Sequence, residues 1–179
     1  NFLEAQTRSK VSRAKADLRS ISAGLEAYCV DNQRYPAARS FCEGGMNSAR
    51  DYHMCPMEIT TPVAYLSTRP PDVFNRKTWY KYVSPGFGFA NGSPTFLAIW
   101  VPRTFPNDSG NFMDDVPHID LASSPVKWAL WSVGPSGDVG FWNAGMEHHP
   151  VPRRTWYDPT NGTISPGIIA RLNTGHEAP

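Results

Sequence analysis

The chain has 179 residues, of which 40% are hydrophobic and 18% are charged, and its formal net charge is +1. This composition is typical of a globular protein and excludes a disordered chain. The charge shows no global basic excess, so no nucleic-acid partner is expected, and no run of about 18 apolar residues is present to span a membrane.

Residues 2–31 are predicted to form one long helix, since apolar residues recur every three or four positions and no proline interrupts them. The stripe is absent from residues 4–10, so the first two turns are expected to project and to expose Phe2 and Leu3. Such exposure is unusual for an isolated domain. Together with a start at Asn1 rather than Met, it indicates a processed or trimmed N-terminus whose helix continues upstream. The predicted stripe consists of Val11, Ala14, Leu18, Ile21, Leu25 and Tyr28.

Residues 36–78 form a proline-rich connection, in which residues 60–66 are predicted to form a short helix. Cys42 and Cys55 bracket a glycine-rich polar loop, which favours a disulfide worth roughly 3 kcal/mol and an oxidising compartment. The alternative is three free thiols in a cytosolic protein. Cys29 is interpreted as a small hydrophobic residue on the helix.

Three strands are predicted beyond this connection, over residues 79–83, 96–101 and 128–133. Asn91-Gly92 between the first two is a hairpin signal. Residues 164–172 are expected either to return to the sheet or to fold under the helix. The simplest assembly is an α+β fold, in which the long N-terminal helix packs on a small antiparallel sheet with irregular C-terminal loops.

One domain is therefore predicted over residues 1–179. Residues 1–35 are expected to form a helical spine and residues 36–78 a connecting loop region. Residues 79–179 are expected to supply the sheet and the C-terminal loops.

The first 36 residues resemble the helix of type IV pilin-like proteins, just after its membrane half. The likeness rests on Asn1-Phe2-Leu3-Glu4-Ala5-Gln6, Ala16-Asp17-Leu18, Leu25-Glu26-Ala27-Tyr28 and Tyr35-Pro36. The major pseudopilins of type II secretion are the most similar branch. Further likenesses lie in Pro71-Asp72-Val73-Phe74, in Trp131-Ser132-Val133-Gly134-Pro135-Ser136-Gly137-Asp138 and in Tyr157-Asp158-Pro159-Thr160-Asn161-Gly162-Thr163.

The resemblance implies a structural, non-enzymatic subunit of a secretion pseudopilus or a type IV pilus-like surface filament. Such a subunit acts by polymerisation in secretion or attachment. Its expected partners are further copies of itself, other pseudopilins, the inner-membrane assembly machinery and the membrane, through an apolar helix missing here. The expected location is the inner membrane and periplasm, or an extracellular filament, of a bacterium.

A basic face on the early helix acquires a role from this resemblance. A solvated face is the default interpretation. The alternative is contact with anionic lipid head groups or with acidic residues of neighbouring subunits. The face consists of Arg8, Lys10, Arg13, Lys15 and Arg19.

The resemblance also suggests calcium as a possible cofactor, held in the C-terminal loops by Asp138 and Asp158 and by other oxygen ligands. The clustered acidic residues expected after the glycine-rich turn are missing, and Phe141-Trp142-Asn143 stands in their place. The alternative is that both aspartates cap turns, as Asp does readily.

Other groups of polar residues give only weak indications of a catalytic or metal-binding site. Glu147, His148 and His149 lack the spacing of a metal-binding helix and are interpreted as a solvated loop. The Asp114-Asp115 pair is interpreted as surface acid rather than as a matched acid and base. The alternative function is a secreted glycan- or peptide-binding module, while Trp142 and Trp156 are predicted to contact other subunits.

Overall fold

The computed structural model describes residues 2–39, 53–90, 92–137, 150–152, 155–161 and 167–178. In these ranges, one helix, α1 (Phe2–Asn32), precedes eight short strands. The strands are β1 (Ala38–Arg39), β2 (Lys81–Val83), β3 (Gly86–Ala90), β4 (Ser93–Leu97), β5 (Ile99–Pro102), β6 (Asp115–His118), β7 (Ala129–Ser132) and β8 (Ile169–Leu172).

The apolar stripe of α1 is confirmed. Ala14, Leu18, Ile21 and Leu25 are at most 1% exposed. Val11 and Tyr28, at the two ends of the stripe, are partly buried and pack against the same core. The helix is therefore held to the body along one face from Val11 onward, as its spacing of three and four residues requires.

The helix stops at Asn32, where local contacts replace the helical pattern. The Asn32 side-chain amide donates to the Tyr28 carbonyl at 2.9 Å. Gln33 then adopts a positive φ of 56°, the left-handed conformation that commonly follows a helix C-terminus. The chain leaves the helix into Tyr35 and Pro36, close to the predicted end.

Within the described ranges the strands form three small sheets rather than the single sheet that was predicted. The central sheet is antiparallel in the order β2-β7-β8, and β5 and β6 form an antiparallel pair. The third sheet has the order β1-β3-β4, with β1 parallel to β3. The arrangement of one long helix and mostly antiparallel sheets confirms the α+β, pilin-like fold class.

The predicted run over residues 96–101 is divided between β4 and β5. Gly86 pairs with Leu97 at the start of β3 and has a φ of 112°, which turns the backbone out of the extended conformation. Because β3 offers no partner beyond this point, β5 pairs with β6 instead. A hairpin forms at Asn91-Gly92 as predicted, since Ala90 pairs with Ser93, but it joins β3 to β4 and not the first two predicted strands. Asn91 itself lies outside the described residues.

The predicted short helix over residues 60–66 is wrong. A single 3₁₀ turn, Met57–Ile59, precedes this segment instead. The backbone N–H of Leu66 donates to the Ile59 carbonyl at 2.9 Å, whereas a helix would direct it to residue 62. The segment therefore folds back as a loop.

The core lies between α1 and the central sheet. β2 and β7 are buried along their whole length, and β8 is buried at three of its four residues. Trp128, Leu130 and Trp131 supply much of its volume and are at most 2% exposed. A sheet buried on both faces depends on its neighbours for cover, and α1 contacts both β7 and β8.

Replacing Leu18 by alanine is expected to lower the free energy of unfolding by about 2–5 kcal/mol, because the cavity lies in a fully packed core. The matched control is Ser12→Ala on the exposed face of the same helix, where a change within about 0.5 kcal/mol is expected. Urea unfolding followed by circular dichroism measures both. Equal losses of unfolding free energy in the two variants would show that the stripe contributes no more to stability than the exposed face of the helix.

Candidate assembly surface

The first turns of α1 present an uncovered apolar end. Phe2 and Leu3 are each 74% exposed, and none of the residues 2–10 is buried. This segment spans about 14 Å at the helical rise per residue. The prediction that the helix start projects from the body is confirmed.

Carboxylates on α1 accept hydrogen bonds from buried aromatic residues of the body. Asp17 accepts from the Tyr80 hydroxyl at 2.8 Å, and Glu26 accepts from the Trp128 indole N–H at 2.8 Å. Buried tyrosine and tryptophan need partners for their polar atoms. Burial, and then the bond to Asp17, raise the pKa of Tyr80, so its hydroxyl keeps its proton and donates.

An ion-pair group joins the helix to the C-terminal segment. Arg19 donates from Nε and Nη2 to the two carboxylate oxygens of Glu177, at 3.0 and 2.7 Å. Arg171 of β8 pairs with the same carboxylate. The bidentate geometry of arginine on a carboxylate fixes direction as well as distance. The helix and the end of the chain are therefore held in one orientation.

Asp72 joins the middle loop to the end of β7. Its Oδ1 accepts from the Phe74 backbone N–H at 3.0 Å and from the Ser132 hydroxyl at 2.8 Å, and its Oδ2 accepts from the Val133 N–H at 2.9 Å. Asp72 is fully buried. Burial raises the pKa of Asp72, while the donated bonds and the nearby charge of Lys81 act in the opposite direction.

Two of the segments that carried the likeness meet at this carboxylate. Asp72 belongs to the first segment, and Ser132 and Val133 belong to the second. The next residue, Gly134, has a φ of 76°, and a Cβ there would lie 2.0 Å from the Gly167 carbonyl oxygen. Only glycine fits this approach, so the turn after β7 lies tightly against the segment that leads into β8.

Comparison with known families decides the identity of the chain. The family model described as "Type II secretion system (T2SS), protein G" matches residues 1–91, just over half of the 179 residues. The chain belongs to this family. The resemblance to the major pseudopilin is thereby confirmed. No curated protein and no solved structure matches the chain.

Family membership gives this pseudopilin a role in type II secretion. The family is structural rather than catalytic, and it implies assembly with other pseudopilins at a periplasmic or membrane-associated location in bacteria. The matched region covers α1 through β3 and ends before the C-terminal segments that carried the further likeness. Within the described ranges, no helix has both the length and the hydropathy of a membrane span.

Only one of the two aspartates suggested for calcium lies in the described part of the pseudopilin. Asp138 lies outside the described residues. Asp158 accepts from the Thr160 backbone N–H at 2.8 Å and from its hydroxyl at 2.7 Å, which is the turn-capping alternative. No group of three metal-binding side chains occurs in the ranges that the structure describes. Calcium binding stays a prediction.

Only one of the two cysteines in the predicted disulfide lies in the described residues. Cys55 is 1% exposed and forms no disulfide within the ranges that the structure describes, and burial raises the pKa of its thiol to about 12. Cys42 lies outside the described residues, so the Cys42–Cys55 disulfide stays a prediction. Cys29 is partly buried on α1, and desolvation is also the main cause that raises its pKa.

Two interpretations of single residues are wrong. Trp156 was expected to contact other subunits from a loop, but it is 7% exposed and its indole N–H donates to the Pro150 carbonyl at 2.9 Å. Asp115 was interpreted as surface acid, but it is 7% exposed at the start of β6. Trp142, Glu147, His148 and His149 lie outside the described residues.

Asp72→Ala is expected to lower the free energy of unfolding by about 3 kcal/mol or more, because each buried donor left without an acceptor costs about 1–3 kcal/mol. Asp158→Ala is the matched control, since that carboxylate accepts two hydrogen bonds and both come from Thr160. A loss of about 1 kcal/mol or less is expected there. Chemical unfolding of both variants tests this, and a small effect at Asp72 would contradict its role at the junction.

The predicted disulfide has a direct test by thiol counting. Protein from an oxidising compartment, alkylated while denatured without reductant, is expected to show one modified cysteine, and three after reduction. Cys55→Ser is expected to raise the unreduced count to two, because Cys42 loses its partner. Mass spectrometry gives the count. Three modified cysteines in the unreduced wild type would exclude the bridge.

Proposed function

We propose that this pseudopilin is a structural subunit of a type II secretion pseudopilus and acts by polymerisation. In this proposal an apolar segment continues α1 upstream of Asn1, anchors the subunit in the inner membrane and later packs beside further copies. The observation that carries the proposal is the exposed apolar helix start on an otherwise tightly held helix. The family match supports the secretion role.

The way α1 is attached to the body supports a mechanical role. The buried stripe, the Asp17–Tyr80 and Glu26–Trp128 hydrogen bonds and the Arg19–Glu177 pair all bind the helix to other elements. A displacement of the helix therefore carries the body with it. Packing of helices in a filament core would then set the positions of the bodies at its surface.

The array we propose is helical and non-closing. Head-to-tail contacts between identical subunits generate an open filament whenever the rotation does not close a ring. The partners in this proposal are further copies of the chain, other pseudopilins, the inner-membrane assembly machinery and the membrane itself. The family match favours a secretion pseudopilus over a surface filament for attachment.

The alternative of a secreted glycan- or peptide-binding module has less support. One of the two loop tryptophans that suggested it, Trp156, is buried with its indole N–H bonded inside the protein. No observation in the described ranges favours a second function over the filament proposal.

Site-specific cross-linking in the native bacterium tests this proposal. A photoreactive residue at position 3, in the native gene with its own upstream sequence, is expected to give a ladder of cross-linked copies. Met113 is the matched control, since it is apolar and 87% exposed but lies on a different element. The ladder is expected to disappear in a strain that lacks the other secretion genes.

Cross-links at position 3 that involve no second copy or other pseudopilin would contradict polymerisation through the helix. Sequencing the gene upstream of Asn1 gives an independent measurement. A short basic leader followed by about 20 apolar residues is expected, whereas an ordinary secretory signal would contradict the anchor.

A further inference from the structure

A basic groove lies beside the early part of α1. Its volume is about 370 Å³, and it is lined by Lys10 and Arg13 from the helix and by Val73, Phe74 and Arg76 from the middle loop. Three of the five lining residues are cationic, and none is acidic. The groove is therefore complementary in charge to an anion.

A neighbouring carboxylate offsets part of the positive charge of this groove. Asp17 lies one turn beyond Arg13 on the helix, at 3.9 Å from its Nε. Its Oδ2 also accepts a hydrogen bond from the Tyr80 hydroxyl at 2.8 Å, while Lys10 and Arg76 carry the remaining positive charge of the groove. Val73 and Phe74, both partly exposed, give the groove an apolar wall beside its cations.

The groove is close to the exposed start of the helix. Lys10 follows Phe2 by eight residues, or about 12 Å along the helix axis. Cations next to apolar side chains are the composition of surfaces that lie at the boundary between lipid head groups and acyl chains. This combination favours a lipid surface over the carboxylate of a second copy, which would gain nothing from the apolar wall.

We propose that the Lys10–Arg13–Arg76 groove binds the phosphate groups of anionic lipid head groups and holds the body of the subunit against the membrane surface. The lipid contact rests on the groove alone, while its use before polymerisation rests on the proposed function. When the subunit leaves the membrane and enters the filament, the contacts between these cations and the lipid phosphates must break.

Vesicle flotation of the 179-residue chain tests the proposal. The vesicles consist of phosphatidylcholine with or without 30% phosphatidylglycerol, at low salt to limit screening. Lys10→Gln with Arg76→Gln is expected to weaken binding to the anionic vesicles about 25-fold, since each basic residue near such a surface contributes about fivefold.

The matched control removes two positive charges elsewhere. Arg34 and Arg103 are both exposed, and Arg34→Gln with Arg103→Gln gives the same net charge as the groove variant. A change of less than about threefold is expected. Inorganic phosphate is expected to compete no better than chloride at equal ionic strength, which separates a lipid head group from free phosphate.

Equal weakening in the two double variants would overturn the proposal, because only net charge would then matter. Unchanged vesicle binding with loss of the cross-linked ladder from position 3 would also overturn it and would assign the groove to a contact between copies. A specific loss of vesicle binding in the groove variant supports the lipid site even if that ladder fails, so the two proposals can be told apart.

Discussion

Four side chains on one stripe of α1 lie against the central sheet, and their burial is the contact that organises the molecule. The strands of that sheet are short, and β2 and β7 are buried throughout, so they cannot form a stable layer without cover. The helix supplies this cover with Ala14, Leu18, Ile21 and Leu25. The loops and the two other sheets of the described ranges are then arranged around this unit of helix and central sheet.

Polar contacts determine how the packed elements are oriented. Three carboxylates, Asp17, Glu26 and Asp72, accept hydrogen bonds from donors that the fold has removed from water. An unsatisfied donor in such a place costs more than a satisfied one contributes, so each bond excludes neighbouring registers of the helix or loop. Burial of apolar surface provides most of the attraction, and these carboxylates select one arrangement from the many that hydrophobic packing alone would allow.

The sequence predicted the elements that carry a repeating pattern and missed those that depend on single residues. The helix was predicted closely because its spacing persists over some 20 residues. β3 was missed because Gly-Phe-Gly-Phe-Ala contains two glycines, which are poor strand formers. The junction at Asp72 has no periodic signal, since an aspartate after a proline reads as a turn. Of the candidate site, the exposed helix start and the basic face were predictable, but the approach of Arg76 to Lys10 and Arg13 required the fold.

The start of α1 and the rest of the helix differ in whether their apolar side chains are covered. From Val11 onward, α1 gains stability by burying its stripe, while Phe2 and Leu3 leave apolar surface in water. Burying a side chain of this size contributes roughly 1.5–3 kcal/mol, so covering both would yield a few kcal/mol to any assembly that does so. The body offers no such cover to Phe2 and Leu3. The core and the carboxylates hold the rest of the helix in place, so the subunit cannot bury Phe2 and Leu3 by rearranging itself. The free energy of burying these two side chains therefore stabilises contacts with lipid or with another helix.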